Sequence, residues 1–242
     1  MQGQEQSEFE GLPVLLSASL PEELQGTHRA LDLQQLLVAL LRGLLTGGGR
    51  LVFGGHPSVT PLIQRIASEA GLSVPSIELY QLTRFRDEAP EEIYGPTFAL
   101  HWVESAELST MRDEMAERSA AAIFVGGKTS GYMGPRPGIR DEYERFLAFH
   151  PQGPAYLLGL LDGEALRMIH EMEEAGRTEP NGLSPAELRL LHQTTDIDVA
   201  ASLVLADLRR VFGTSPSVAP APQRSPGVRA IQSLSARFNR PA

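Results

Sequence analysis

A chain of 242 residues, 42% of them hydrophobic, is long enough for one large domain with its own core, and the absence of cysteine excludes disulfides, thiolate metal sites and a thiol nucleophile. The formal charge is −9, yet the last thirty residues carry four arginines and no acid; the acidic body this leaves excludes general binding to a nucleic-acid backbone while permitting one small phosphorylated ligand. No apolar run reaches the ~18 residues of a membrane-spanning helix, and residues 1–10 lack the basic and apolar regions of a signal peptide, so the expectation is a cytoplasmic protein that engages neither nucleic acid nor membrane.

The first predicted element is a short buried strand over 13–18, ending in Ser17-Ala18-Ser19. Leu33, Leu36, Leu37, Leu40, Leu41, Leu44 and Leu45 then fall on one helical stripe, with Asp32 as the expected N-cap and Thr46-Gly47-Gly48-Gly49 as the stop. A second strand runs from Arg50 to Gly54. After Gly55-His56-Pro57-Ser58-Val59 a helix is expected with Thr60 at its N-cap, Pro61 at its first position and Leu62, Ile63, Ile66, Ala67 and Ala70 on its apolar face.

Strands follow at 77–82 and 97–103, separated by an exposed loop from Arg84 to Pro90. A helix of mixed charge spans 111–119, and Ala121 to Val125 is the clearest buried strand in the chain. Residues 126–138 are a loop rich in Gly and Pro. A helix over 139–149 turns Tyr143, Phe146 and Leu147 inward, a strand covers 155–160, and a helix covers 164–175. Ser184, Pro185 and Glu187 form the start of a further helix, and Ile197, Ala200, Ala201, Val204, Leu208 and Val211 mark the last.

Strands alternating with helices predict an α/β protein: a Rossmann-like, doubly wound, mostly parallel sheet flanked by helices, with extra helices at its C-terminal end. The expected organisation is a polar arm over 1–10, one domain over 11–212, and a Pro- and Arg-rich disordered tail over 213–242 in which Ile231, Leu234 and Phe238 have helical spacing.

Two strands end in a glycine pair, Phe53-Gly54-Gly55-His56 and Val125-Gly126-Gly127-Lys128, and Lys128 is the single lysine of the chain. In an open parallel sheet, ligands bind beyond the carboxyl ends of the strands, and glycine there lets backbone N–H groups approach a phosphate. An ordinary βα turn uses glycine as well, so both readings stand for each pair. Gly127-Lys128-Thr129 is no P-loop, because Ala122 stands where the leading glycine belongs and no helix follows at once. The chain has no GxGxxG, HExxH or GxSxG motif, and its six histidines are isolated, so neither a metal nor a dinucleotide cofactor is expected. Asp141, Glu142 and Glu144 fall in the first turn of a helix, which suits its dipole and is also where a glycosidase carboxylate would stand.

Taken with Met111-Arg112, Gly134, Pro137-Gly138-Ile139-Arg140-Asp141-Glu142 and Pro154-Ala155-Tyr156-Leu157-Leu158-Gly159, these motifs resemble the SLOG superfamily over about residues 13–212. That superfamily includes the LOG phosphoribohydrolases, the DprA core, and sensor domains associated with TIR or SIR2 effectors in bacterial defence; the motifs here are most similar to the sensor branch. The resemblance implies a pocket for a nucleotide-derived ligand formed by Ser17, Ser19, Gly54, Gly55, His56, Thr60, Arg112, Gly126, Gly127, Lys128, Gly138 and Glu142. It implies sensing of an NAD-derived or cyclic ADP-ribose-like molecule, a separate TIR- or SIR2-type effector in a defence or stress pathway, and a homo-oligomer. The alternative it implies is a LOG-like N-glycosidase of nucleoside monophosphates, with Glu142 and Arg112 catalytic. Two departures from the phosphoribohydrolase motif favour binding without turnover: an insertion parts Gly126-Gly127 from Pro137-Gly138, and Gly138 is followed by Ile139-Arg140 rather than Gly-Thr. A third departs from the sensor branch, where Leu160-Leu161-Asp162-Gly163 replaces a Gly-Gly pair after the last strand.

Overall fold

The structure, a computed structural model, describes residues 7–20, 24, 26–69, 71, 76–86, 96–131 and 134–213. Within them lie six strands, β1 (Pro13–Ser19), β2 (Arg50–Phe53), β3 (Ile77–Leu82), β4 (Ala99–Val103), β5 (Ala121–Gly126) and β6 (Ala155–Leu158). Seven α-helices accompany them: α1 (His28–Thr46), α2 (Thr60–Glu69), α3 (Leu108–Arg118), α4 (Gly138–Phe149), α5 (Gly163–Glu174), α6 (Pro185–Gln193) and α7 (Ile197–Phe212). All strand pairs are parallel, and the order across the sheet is β4-β3-β2-β1-β5-β6. The chain winds outward from β1 through β2 to β4, then crosses back to β5. The order therefore reverses between β1 and β5, which is where an open α/β sheet leaves a crevice.

Side-chain alternation along the strands divides the core in two. Val14 and Leu16 of β1 join the leucine stripe of α1, the apolar face of α2 and the inner face of α7. Leu15 faces the opposite way, with Val52, Phe124 and Leu157, and packs under α3, α4 and α5. All seven leucines of the α1 stripe are buried. A two-sided α/β layer follows, as the alternation of elements predicts. No described helix is long and apolar enough to cross a membrane.

Several boundaries differ from the sequence expectation for local reasons. The α1 N-cap is Thr27, whose side chain accepts from the Arg29 N–H at 3.2 Å; Asp32 lies inside the helix, 3.7 Å from Arg29. Thr60 is the first helical residue of α2 and not its cap, since its hydroxyl donates to His56 O at 3.0 Å. Phe9, on the arm, is buried to 2% exposure, and its N–H donates to Gly47 O. Val211 is 36% exposed rather than inward. Thr83–Phe85 forms a 3-10 turn after β3, and Gly159–Leu161 another after β6. Ala70, most of the 84–90 loop and the tail with Ile231, Leu234 and Phe238 lie outside the described residues.

The C-terminal helices are fixed by buried polar groups. Ser184 and Glu187 close a capping box on α6. The Glu179 carboxylate accepts from His192 Nε2 at 2.8 Å and from the Leu157 N–H at 3.3 Å. Burial alone would lower the His192 pKa, but its bonds to Glu179 and Glu173 outweigh this and raise it above the ordinary value. Asp207, fully buried on α7, accepts from Tyr156 Oη and the Gly182 N–H, both at 2.8 Å, and from Arg210 Nη2 at 2.6 Å. This single carboxylate thus ties β6 to α7. Asp207→Ala would strand the Tyr156 hydroxyl and the Gly182 N–H, while Arg210 keeps water and Glu187. Loss of about 3 kcal/mol in urea unfolding is expected, and a loss under about 1 kcal/mol would show that the network carries little.

Candidate functional site

A cleft of about 540 Å³ opens beyond the carboxyl ends of β1, β2 and β3. Its base is the turn between β2 and α2. Gly55 has φ 69°, a left-handed conformation that costs side-chain-bearing residues energy. A Cβ on Gly55 would overlap the Gln81 amide nitrogen and stand 2.7 Å from Leu79 Cδ1. Glycine is required because the side chains of β3 occupy that space. Gln81 Nε2 donates to Gly54 O at 3.2 Å and lies 3.5 Å from Gly55 O. Two carbonyl oxygens on one side decide the amide's orientation, because its own oxygen there would meet only lone pairs.

The same turn fixes His56. Its carbonyl accepts from the N–H groups of Val59 and Thr60, which start α2. Its Nδ1 lies 2.8 Å from Ser58 Oγ and 3.3 Å from the Ser58 N–H. A backbone N–H only donates, so Nδ1 is the acceptor and Nε2 carries the proton of the neutral ring. Burial, and then the positive charge of Lys128, hold the His56 pKa below its ordinary value. At neutral pH the ring is an uncharged N–H donor.

Arg112 of α3 organises the opposite wall. Its Nε donates to Glu142 Oε1 at 3.2 Å and its Nη1 to Asp141 Oδ2 at 2.9 Å. The helix start comes this close because residue 138 is glycine: a Cβ there would stand 2.9 Å from Arg112 Nη2. The two adjacent carboxyls are pushed in opposite directions. Burial would raise the Asp141 pKa, but hydrogen bonds from Arg145 and Arg112 prevail and lower it. For Glu142 burial prevails over Arg112 and the Ser17 hydroxyl, and its pKa is raised. Neighbouring acids held at different proton affinities are a common arrangement in reactive and ligand-binding pockets. Among the described residues no cluster of His, Asp and Glu suits a metal ion.

Ten of the twelve residues singled out in the sequence line this one cleft: Ser17, Ser19, Gly54, Gly55, His56, Thr60, Arg112, Lys128, Gly138 and Glu142. Gly126 and Gly127 are not part of its lining. A Cβ on Gly126 would overlap Ser19 O, and the Gly127 N–H donates to that same carbonyl at 2.8 Å. That N–H is already engaged within the protein. Gly163 comes so close that a Cβ on it would lie 2.5 Å from Gly127 O. The preceding Asp162 has φ 58° and pairs with Arg29 Nη2 at 3.1 Å. Among the lining residues that sequence reasoning did not single out are Leu79, Gln81, Phe85 and Leu108. Gln81 carried a signal: it is the polar residue at the carboxyl end of the otherwise largely apolar β3.

A parallel sheet with this order and a cleft at its carboxyl edge defines a Rossmann-like α/β protein. The model of the SLOG cluster3 family matches residues 25–193, more than half of the chain, and the protein belongs to that family. The matched span holds every singled-out residue except Ser17 and Ser19 on β1. Comparison with curated proteins gave no match.

Two outcomes test the site's construction. Gly126→Ala drives a methyl into the Ser19 carbonyl at a positive φ, so stability should fall by at least about 2 kcal/mol, read as a lowered thermal midpoint; an unchanged midpoint would mean that β1 and β5 tolerate separation here. Glu142→Gln tests the raised carboxyl. With its folded pKa above the unfolded value, wild-type Glu142 loses stability as pH rises from the unfolded pKa to the folded one. The midpoint of the variant minus that of the wild type should therefore climb with pH across that window, from pH ~4.5 upward, and level off beyond it. A flat difference would contradict the raised pKa.

Proposed function

We propose that the protein binds a nucleotide-derived small molecule, NAD-derived or similar to cyclic ADP-ribose, and acts as a ligand sensor. The observation that carries this reading is the convergence in one cleft of a cation at Lys128, a neutral N–H donor at His56, the hydroxyl-bearing residues Ser17 and Ser19, and the Arg112–Glu142 pair. This set matches phosphate, ribose hydroxyls and a polar sugar edge. Family membership and the position of the cleft beside the reversal of strand order support the same reading. Regulation of a separate TIR- or SIR2-type effector in a defence or stress pathway, a cytoplasmic setting and homo-oligomerisation belong to the proposal through the resemblance to the sensor branch. No cofactor is invoked.

One observation favours a second reading, N-glycosidic cleavage of a nucleoside monophosphate. Glu142 lines the cleft with a raised pKa, as a general acid requires. Against it, Glu142 Oε1 is bonded to Arg112, and Arg112 is bonded to Asp141 as well. An anchored ion pair suits holding a ligand better than a cycle of proton release and uptake.

Native mass spectrometry of the whole chain with NAD, ADP-ribose, cyclic ADP-ribose isomers and nucleoside monophosphates separates the two. A ligand retained unchanged, and bound about ten-fold more weakly after Lys128→Ala, is the expected result. Free base released from a monophosphate, and lost in Glu142→Gln, would establish the glycosidase instead. An outcome with neither retention nor cleavage of any compound in the panel would count against both.

A further inference from the structure

We propose, resting on the reading of the cleft as a nucleotide site, that Gln81 is its base-selecting residue and admits a heterocycle with an N–H donor at its edge, such as an exocyclic amino group. Gly54 O and Gly55 O fix the amide nitrogen of Gln81 at 3.2 and 3.5 Å. Among the described hydrogen bonds both of those made by Gln81 use Nε2, so its Oε1 presents an acceptor to the cleft that the residue lines. The side chain cannot exchange the two atoms to receive a ligand acceptor. Doing so would set Oε1 against the Gly54 carbonyl and forfeit the bond that the glycine turn provides. The site therefore demands a donor.

The surroundings say what kind of donor. Leu79 shares the strand and the face of Gln81, Phe85 follows β3 directly, and Leu108 and Met111 come from α3, which packs on β3. The β3 side of the cleft is apolar apart from Gln81. A flat ring with one N–H at its edge satisfies both demands, whereas a sugar would bury its hydroxyls against leucine and methionine. The polar groups Ser17, Ser19 and Lys128 stand on β1 and after β5. β1 is two strands from β3, roughly 10 Å at ~4.8 Å per strand. The ring end and the sugar-phosphate end of one nucleotide thus have separate places. Gly55 gains a further role, because any side chain on it would displace the amide that reads the ring.

Isothermal titration calorimetry of the whole chain tests this with two probe pairs. The first is adenosine monophosphate and its analogue with hydrogen in place of the 6-amino group; the second is ADP-ribose and the matching analogue. In each pair that binds, the amino compound should bind at least ten-fold more tightly, because the analogue leaves Oε1 unpaired in apolar surroundings. In Gln81→Met, which keeps the volume and removes the acceptor, the ratio should shrink to within about two-fold. The wild-type comparison needs no variant, so equal affinities there overturn the assignment even if Gln81→Met fails to fold. Equal affinities in the wild type, or a ratio that survives Gln81→Met, would overturn the assignment to Gln81 and leave the nucleotide reading intact. Absence of binding by all four compounds would overturn both.

Discussion

The site depends on one close approach: the carbonyl of Ser19 at the end of β1 occupies the place where residue 126 would carry its Cβ. Glycine at 126 lets β5 run in register with β1 through its last residue, with Ser19 opposite Gly126. The Gly127 N–H then closes on the same carbonyl. From there the chain turns outward to Lys128, while Gly127 O accepts from the Glu164 N–H and so receives the start of α5. Ile139 of α4 packs where a Cβ on Gly127 would be, at 2.8 Å. Two glycines without side chains thereby seat β1, α4 and α5 together. The hydroxyls of β1, the cation after β5 and the acids of α4 reach one cleft because nothing separates their supports.

A second layer of order is electrostatic. Asp141, only 6% exposed at its side chain, is bonded by Arg112, Arg136 and Arg145, and Arg145 reaches back to Asp113 of α3. Such a network leaves no single buried charge unpaired, the condition under which burial of ions is tolerated. It also holds α3 against α4 with the Arg112 guanidinium between them. Glu78, at the other end of the sheet, is buried among Arg50, Arg118 and His101. The acidic chain thus spends much of its arginine on buried carboxylates.

Most of the architecture was legible in the sequence because it is local. The leucines of α1, the run Ala121–Val125 and the Ser184-Pro185-Glu187 start each fix an element from within about ten residues. The parallel, doubly wound arrangement followed from their alternation. What escaped depends on neighbours distant in the chain. Asp32 and Thr27 are both acceptable caps, and the winner is settled where the chain enters the layer. For Gly126-Gly127 a phosphate turn and an ordinary βα turn both stood, because the sequence does not show that Ser19 lies against the pair. Gln81 was not singled out within the strand 77–82, since only the placement of β3 beside β2 brings it onto the Gly54-Gly55 turn. Ten of the site residues came through the family motifs, which already encode such long-range proximity.

The two glycine pairs, alike in sequence, therefore do different work, and the difference follows from their neighbours. Gly126 meets the Ser19 carbonyl, and Gly127 meets the side chains of Ile139 and Glu164 at two helix starts, so their lack of side chains serves packing. Gly54 and Gly55 meet Met111, Met115, Leu79 and Gln81, so theirs shapes a surface that faces the cleft. A change at Gly126 acts on stability through a backbone carbonyl that cannot move aside. At the second pair, a side chain on Gly55 would meet Leu79 and the Gln81 amide at a positive φ, whereas on Gly54 it would meet only the flexible ends of Met111 and Met115, at 3.3 Å. The fold thus sets a tight backbone seam at the point of strand reversal and, beside it, a turn whose carbonyls orient the Gln81 amide at the edge of the cleft.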